Sequence, residues 1–150
     1  MSYRALLYHI VFRTQRSRRT ITEAYERDLY ANLYSYLSNK GAKVYRIGGM
    51  PDHIHILVSI PPTIAIAELI RDMKRTSAKY LMSERHKFPY FEGWGRSYGI
   101  FSYCHRDLEM IRNYIINQKE HHKKISFADE LRKILQQEGV EYDENFFLKE

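Results

Sequence analysis

The chain has 150 residues, a size at which folding buries roughly two thirds of the unfolded surface, which predicts one domain over residues 1–150 with its own core. Lys and Arg number 24 against 18 Asp and Glu, a formal charge of +6 that favours anionic partners such as nucleic acid without selecting one. The single cysteine, Cys104, excludes an internal disulfide and a zinc site built from several thiolates; no apolar run suits a bilayer and residues 1–13 lack a cleavable signal pattern, so a soluble, unprocessed, cytoplasmic protein is expected.

Residues 3–13, YRALLYHIVFR, are apolar on both alternating faces and predict a central strand, ended by the polar run RTQRSRRT. From residue 21 to about 39, Leu29, Leu33, Tyr36 and Leu37 recur at helical spacing, and Gly41 stands where a helix would stop. Residues 43–47 predict a second strand. Gly48, Gly49 and Pro51 then make a tight connection to a third, residues 53–60, closed by Pro61 and Pro62; the two strands should form an antiparallel hairpin.

Thr63 is expected to cap a helix over residues 64–84, with Ile66, Leu69, Ile70, Met73 and Leu81 facing the core. After the aromatic loop HKFPYFEGWGRS, residues 98–105 predict a fourth strand. Asp107 should cap a helix running through about residue 122, and residues 126–138 a last amphipathic helix before an acidic, aromatic tail. The order βαββαβ followed by two helices predicts an α+β fold of ferredoxin-like or RRM-like architecture, an antiparallel sheet with helices packed on one face. That layout hosts RNA binders, metal carriers and enzymes alike.

The stretch GGMPDHIHILVSI carries the chemistry. His53 and His55 point to one side of their strand, roughly 6.5 to 7 Å apart at the Cα, close enough to converge on one ion. Ile54, Ile56, Val58 and Ile60 take the other side, so the imidazoles are segregated from the hydrophobic layer. The plain alternative is a pair of half-exposed strand residues bonded to neighbours. A metal site needs a third ligand, for which His9, His105, Gln118, His121, His122 and the carboxylates are candidates. In the helix DLEMIRNYIINQKEHH, Leu108, Ile111 and Ile115 form the core stripe while Tyr114 and Gln118, four apart, stand together on its flank. Gln118 could complete a shell that leaves positions open for phosphate oxygens, which favours Mg²⁺ or Mn²⁺ over a closed zinc site. Tyr114 becomes a plausible nucleophile only near such an ion, because a phenol of pKa about 10 is nearly all protonated at neutral pH.

These residues resemble the single-tyrosine HUH transposases of small insertion sequences, TnpA-like enzymes acting on single-stranded DNA. YHIVFRTQRSRR resembles that family's opening strand, GGMPDHIHILVSIPP its metal-binding strand, IRDMKRTSAKYL its second helix and YIINQ its nucleophile helix. The likeness covers most of residues 3–122; residues 123–150 form a C-terminal tail that resembles only a subset of members. The resemblance implies that His53, His55 and Gln118 bind the divalent metal. It further implies that Tyr114 attacks the scissile phosphate, giving a 5′-phosphotyrosine and a free 3′-hydroxyl. It implies as partners DNA with hairpin ends and a second copy of the chain, the tyrosine helix serving its own or its partner's histidines. No nucleotide hydrolysis is needed for resealing, and no Walker-type loop is present.

Arg13, Arg16, Arg18 and Arg19 in one loop, with Lys74 and Arg75 beside Arg71 and Lys79 on one helix, are candidate phosphate contacts, although solvated faces look the same. Trp94 could stack on an unpaired base or cover the edge of the core. Three other readings fit parts of the pattern: a non-catalytic RRM-like nucleic-acid binder, a zinc hydrolase using a third histidine, and a domesticated relative that keeps the cutting and joining chemistry without moving its own element.

Overall fold

A computed structural model describes residues 2–149. Four antiparallel strands, β1 (Leu7–Arg13), β2 (Lys43–Met50), β3 (His53–Ser59) and β4 (Gly99–Tyr103), lie in the order β2-β3-β1-β4. This is the order expected of a βαββαβ chain, with β1 and β3 at the centre, and the fold is the α+β sheet the element pattern predicted. Strand β1 begins at Leu7 rather than residue 3, because residues 2–5 are exposed and have no strand to pair with. The hairpin of β2 and β3 is longer than expected: pairing continues through Gly48↔His55, Gly49↔Ile54 and Met50↔His53.

The two glycines explain the extension. A Cβ at Gly49 would lie 2.2 Å from the carbonyl oxygen of His53, so only glycine lets the hairpin close this tightly. At Gly48 a Cβ would lie 2.8 Å from Cγ2 of Ile115, on the helix that covers this face.

Helices α1 (Glu26–Asn39) and α2 (Ile66–Ser83) pack on one face of the sheet, where Leu29, Leu33, Leu37, Ile70 and Met73 meet Ile10, Phe12, Ile54, Ile56 and Val58. A short 3₁₀ turn, Glu23–Tyr25, leads into α1, which is therefore shorter than the expected span from residue 21. The expected cap from Thr63 is absent: α2 starts after Ala65, with no side-chain capping bond.

The expectation of helices on a single face is corrected. Three C-terminal helices, α3 (Leu108–Ile116), α4 (Gln118–His121) and α5 (Phe127–Gln137), cover the second face. There Leu7 and Leu57 meet Leu108, Ile111 and Ile115, while Val11 and Phe101 meet Phe127 and Ile134. Leu7, His9 and Val11 of β1 and His55 and Leu57 of β3 supply this face, so the side that carries the histidines is a core face too. The single helix expected through residue 122 is broken at Asn117, whose N–H bonds back to Asn113 and Ile115. Asp107 precedes α3 without a side-chain cap, whereas Ser126 does cap α5 by accepting from the N–H of Asp129.

Candidate active site

His53 and His55 are completely buried, and the reading of them as half-exposed strand residues falls. Each ring is anchored at Nδ1. Asp52 Oδ1 lies 2.6 Å from Nδ1 of His53, and His9 Nε2 lies 2.7 Å from Nδ1 of His55. A third ring, His122, has its Nδ1 bonded to the carbonyl oxygen of Ile125 at 2.7 Å. With Nδ1 engaged in all three, the Nε2 atoms are left to face inward. Fixing one ring nitrogen so that the other presents its lone pair is the usual outer arrangement of metal-binding imidazoles.

The centre they face is filled by one carboxylate. Glu130 Oε1 lies 3.4 Å from Nε2 of His53, 3.2 Å from that of His55 and 3.0 Å from that of His122. Its other oxygen, Oε2, accepts hydrogen bonds from the Tyr114 hydroxyl and from Nε2 of Gln118, the latter at 2.8 Å. Gln118, its amide so oriented, turns Oε1 toward His53 Nε2 at 3.0 Å. The chain therefore brings Tyr114 and Gln118 onto its own histidines.

Lone pairs of three imidazoles, an amide and a carboxylate converge on one buried point, an arrangement that needs protons or a cation to hold it together. Ligand atoms of His53, His55, His122 and Glu130 all lie within 4.8 Å of one another, so these residues fit a divalent ion. Without one, the cluster shares protons. Burial opposes charge on His53, but hydrogen bonds to Asp52 and Glu130 outweigh it and push its pKa up to about 9. His55 and His9 go down, chiefly through burial. Glu130 is driven far below the carboxylate range despite its burial, because His122, His53 and His55 bond it. Burial and the neighbouring Glu130 charge raise Tyr114 well above an ordinary phenol, so it rests protonated.

Beside Tyr114 a cavity of about 320 Å³ opens to the surface, lined by His9, His121, Glu130 and Lys133 among others. Its lining mixes the Lys133 ammonium with the Glu130 and Glu138 carboxylates and imidazoles whose pKa burial lowers.

Glu130 was missing from the specific ligands drawn from the sequence, which had counted carboxylates only as a class. It had a visible signal: in FADELRKILQQ it shares a helix face with Phe127 and Ile134, a carboxylate within the apolar stripe. Phe127 stacks on the His53 ring with centroids 4.4 Å apart, which seats α5 over the site. His122 is one of several candidate third ligands in the sequence; the break at Asn117 and the turn toward Ile125 bring it inward.

The candidate DNA contacts divide. Arg16, Arg18, Arg19 and Arg75 are exposed, Arg18 bonding Glu92 at 2.7 Å. Arg13 is buried and donates to Ser17 Oγ and the carbonyl of Leu148, while Lys74 donates to the carbonyls of Gly95, Arg96 and Ser97. Trp94 packs edge-on against Phe12 and Phe91 and donates its indole N–H to Ser77 Oγ at 3.0 Å. Of its two sequence readings, covering the core edge is the one its ring contacts match.

The four-stranded antiparallel sheet and its covering helices superpose on solved transposases. A solved REP-associated tyrosine transposase, bound to a REP hairpin, superposes with a TM-score of 0.60 at 12% identity, covering 86% of this chain and 79% of that one. A crystal structure from Deinococcus radiodurans R1, of a protein assigned as a transposase, gives a TM-score of 0.61 at 24% identity over 79% of this chain and 95% of its own. Residues 2–118 match the family described as "Transposase IS200 like", and the chain belongs to that family. The ISDra2 transposase TnpA of Deinococcus radiodurans is a relative, 25% identical over 119 residues, which are 77% of this chain and 85% of the relative. No helix among the described residues is long and apolar enough to cross a membrane.

Proposed function

We propose that this transposase cleaves and rejoins single-stranded DNA at the ends of an insertion sequence, through a covalent 5′-phosphotyrosine on Tyr114. The observation that carries the reading is the reach of a single carboxylate: Glu130 touches the three inward-facing imidazoles with one oxygen and the Tyr114 hydroxyl with the other. The nucleophile and the candidate metal centre are thus about one carboxylate apart.

When bound at His53, His55 and Gln118, Mg²⁺ or Mn²⁺ would draw charge from the phosphoryl oxygens of a scissile phosphate and offset the Glu130 charge that keeps Tyr114 protonated. Tyr114, giving up its proton, bonds to phosphorus as the 3′-oxygen leaves and takes up a proton. Attack by another 3′-hydroxyl on that phosphotyrosine reverses the exchange and reseals the strand without an energy source. His9 and Asp52 hold the two strand histidines in the required orientation.

DNA with hairpin ends is the proposed partner, in line with the REP hairpin held by the structural neighbour. Arg16, Arg18, Arg19 and Arg75 are the exposed phosphate contacts we assign on the chain's surface. We also propose a homodimer, although the tyrosine helix as folded serves its own subunit, and a cytoplasmic location. The test uses labelled single strands carrying palindromes from the DNA flanking the gene, incubated with the protein and Mn²⁺. A protein–DNA adduct on a denaturing gel, lost in Tyr114→Phe, is expected; full adduct formation by that variant would refute the assignment.

A further inference from the structure

We infer that the metal centre is completed from the C-terminal segment: His122 and Glu130, lying beyond the family-matched residues 2–118, are ligands of the divalent ion alongside His53 and His55. The inference rests on the metal-site reading above and deepens it. An ion with donors at roughly 2.1 Å holds neighbouring donors roughly 3.0 Å apart in an octahedron and roughly 3.4 Å apart in a tetrahedron. The separations from Glu130 Oε1 to the three Nε2 atoms, 3.0, 3.2 and 3.4 Å, fall within that span. In the ion-free cluster these same contacts are hydrogen bonds, and an ion that replaces the shared protons would find the carboxylate oxygen already at ligand-to-ligand distance from all three imidazoles.

The rest of Glu130 is arranged as a bound carboxylate would be. Its second oxygen is held by Gln118 and Tyr114, which fixes the direction of the first. The seat of α5 is fixed independently of any ion, by Phe127 on the His53 ring and by Ile134 in the apolar cluster with Val11 and Phe101. His122 is likewise oriented by Ile125, leaving only Nε2 for the centre.

Three imidazole nitrogens, added to the Gln118 amide oxygen 3.0 Å from His53 Nε2 and one carboxylate oxygen, form a donor set that Mg²⁺, which prefers oxygen ligands and keeps its waters, accepts poorly. A transition ion such as Mn²⁺ accepts it well. The site is therefore selective for Mn²⁺ over Mg²⁺, and the C-terminal helix is part of the metal centre.

The test is calorimetric titration of the full chain with Mn²⁺ and with Mg²⁺, in wild type, Glu130→Gln, His122→Gln and His53→Ala, each checked for folding by circular dichroism. Expected are one Mn²⁺ site per chain and Mg²⁺ binding at least about tenfold weaker. Glu130→Gln and His122→Gln should each weaken Mn²⁺ at least about tenfold, the lower bound seen even for loss of outer partners. Mn²⁺ affinity unchanged or raised in Glu130→Gln, but lost in His53→Ala, would overturn the inference while leaving the histidine site intact, marking Glu130 as an obstacle rather than a ligand. Wild type failing to bind Mn²⁺ at all would bring down the metal-site reading together with the inference. If Glu130→Gln does not fold, Glu130→Asp replaces it: the charge is kept and the reach shortened, and the same tenfold loss is expected.

Discussion

Gly48 and Ile115 meet so closely that a methyl group on the glycine would lie 2.8 Å from Cγ2 of Ile115 and 3.1 Å from its carbonyl oxygen. Gly48 is also paired with His55 across the hairpin, so the strand next to that histidine is bare where α3 crosses it. The glycine sets the height of the tyrosine helix above the sheet. Gly48→Ala should lift α3, lowering stability by about 1–3 kcal/mol, the usual cost of overpacking. Because Tyr114 and Gln118 ride on that segment, adduct formation should fall further than the loss of folded protein accounts for. Urea unfolding and a single-turnover adduct assay on the same preparation check both halves; an unchanged adduct rate would mean that the spacing is not set here.

His9 touches no candidate ligand atom that faces the centre, yet it holds the far nitrogen of His55 at 2.7 Å. His9→Phe should weaken Mn²⁺ binding by roughly 10- to 100-fold, as loss of an orienting partner does. His9→Gln, which restores a polar atom near the position of Nε2, should recover much of it. A purely structural role would give equal affinities in the two variants once both are folded, and calorimetry distinguishes the outcomes.

Much of this site was legible in the residues, and the limits were physical. The His53 and His55 pair was readable because strand alternation fixes which side chains share a face, and the flank of Tyr114 and Gln118 because helical spacing does the same. The sheet's second buried face was not readable from β3, since histidines look polar until three helices cover them. The break at Asn117 interrupts no apolar period, so nothing in DLEMIRNYIINQKEHH announced it, and with it went the inward turn of His122. Charge alone did not separate Arg13, buried against Leu148, from Arg19, which is exposed.

The protonation of the ion-free cluster gives a pH signature. The folded pKa of His53 is pushed up to about 9 from 6.5, so between those values the folded chain holds a proton that the unfolded chain has released. The stability this proton confers is complete below pH 6.5 and is lost as pH rises through about 9. His55 and His9 shift downward, so they act oppositely: their neutral burial costs stability as pH falls below the ordinary imidazole value. In chelator, stability should therefore peak near neutrality and decline on the alkaline side. Mn²⁺ should flatten the alkaline decline by replacing the proton. Urea midpoints measured across this range with and without Mn²⁺ report it, and an ion-free profile with no alkaline decline would contradict the shared-proton cluster.

Trp94 is held on three sides, by Phe12, Phe91 and the Ser77 hydroxyl. Trp94→Ala should lower stability by about 3–5 kcal/mol, as large-to-small changes at packed aromatic sites do. Trp94→Phe should cost less and leave single-strand affinity within about twofold, because base stacking is worth roughly 1–3 kcal/mol where it occurs. A larger loss of affinity in a stable Trp94→Phe protein would return the residue to the DNA surface.

The surface cations separate by what already holds them. Arg19 is exposed, whereas Arg13 is buried at 5% exposure with its guanidinium on Ser17 and Leu148. Each phosphate neutralised on a single strand contributes roughly 0.7 to the slope of log affinity against log salt. Arg19→Ala should therefore reduce that slope by roughly this amount and weaken all sequences alike. Arg13→Ala should leave the slope unchanged and instead lower stability by about 1.5–3 kcal/mol, since charged hydrogen bonds to the loop and the C-terminal tail are lost. Fluorescence-anisotropy titrations at several salt concentrations, paired with urea melts, separate the two residues. Equal salt slopes for wild type and Arg19→Ala would remove Arg19 from the DNA path.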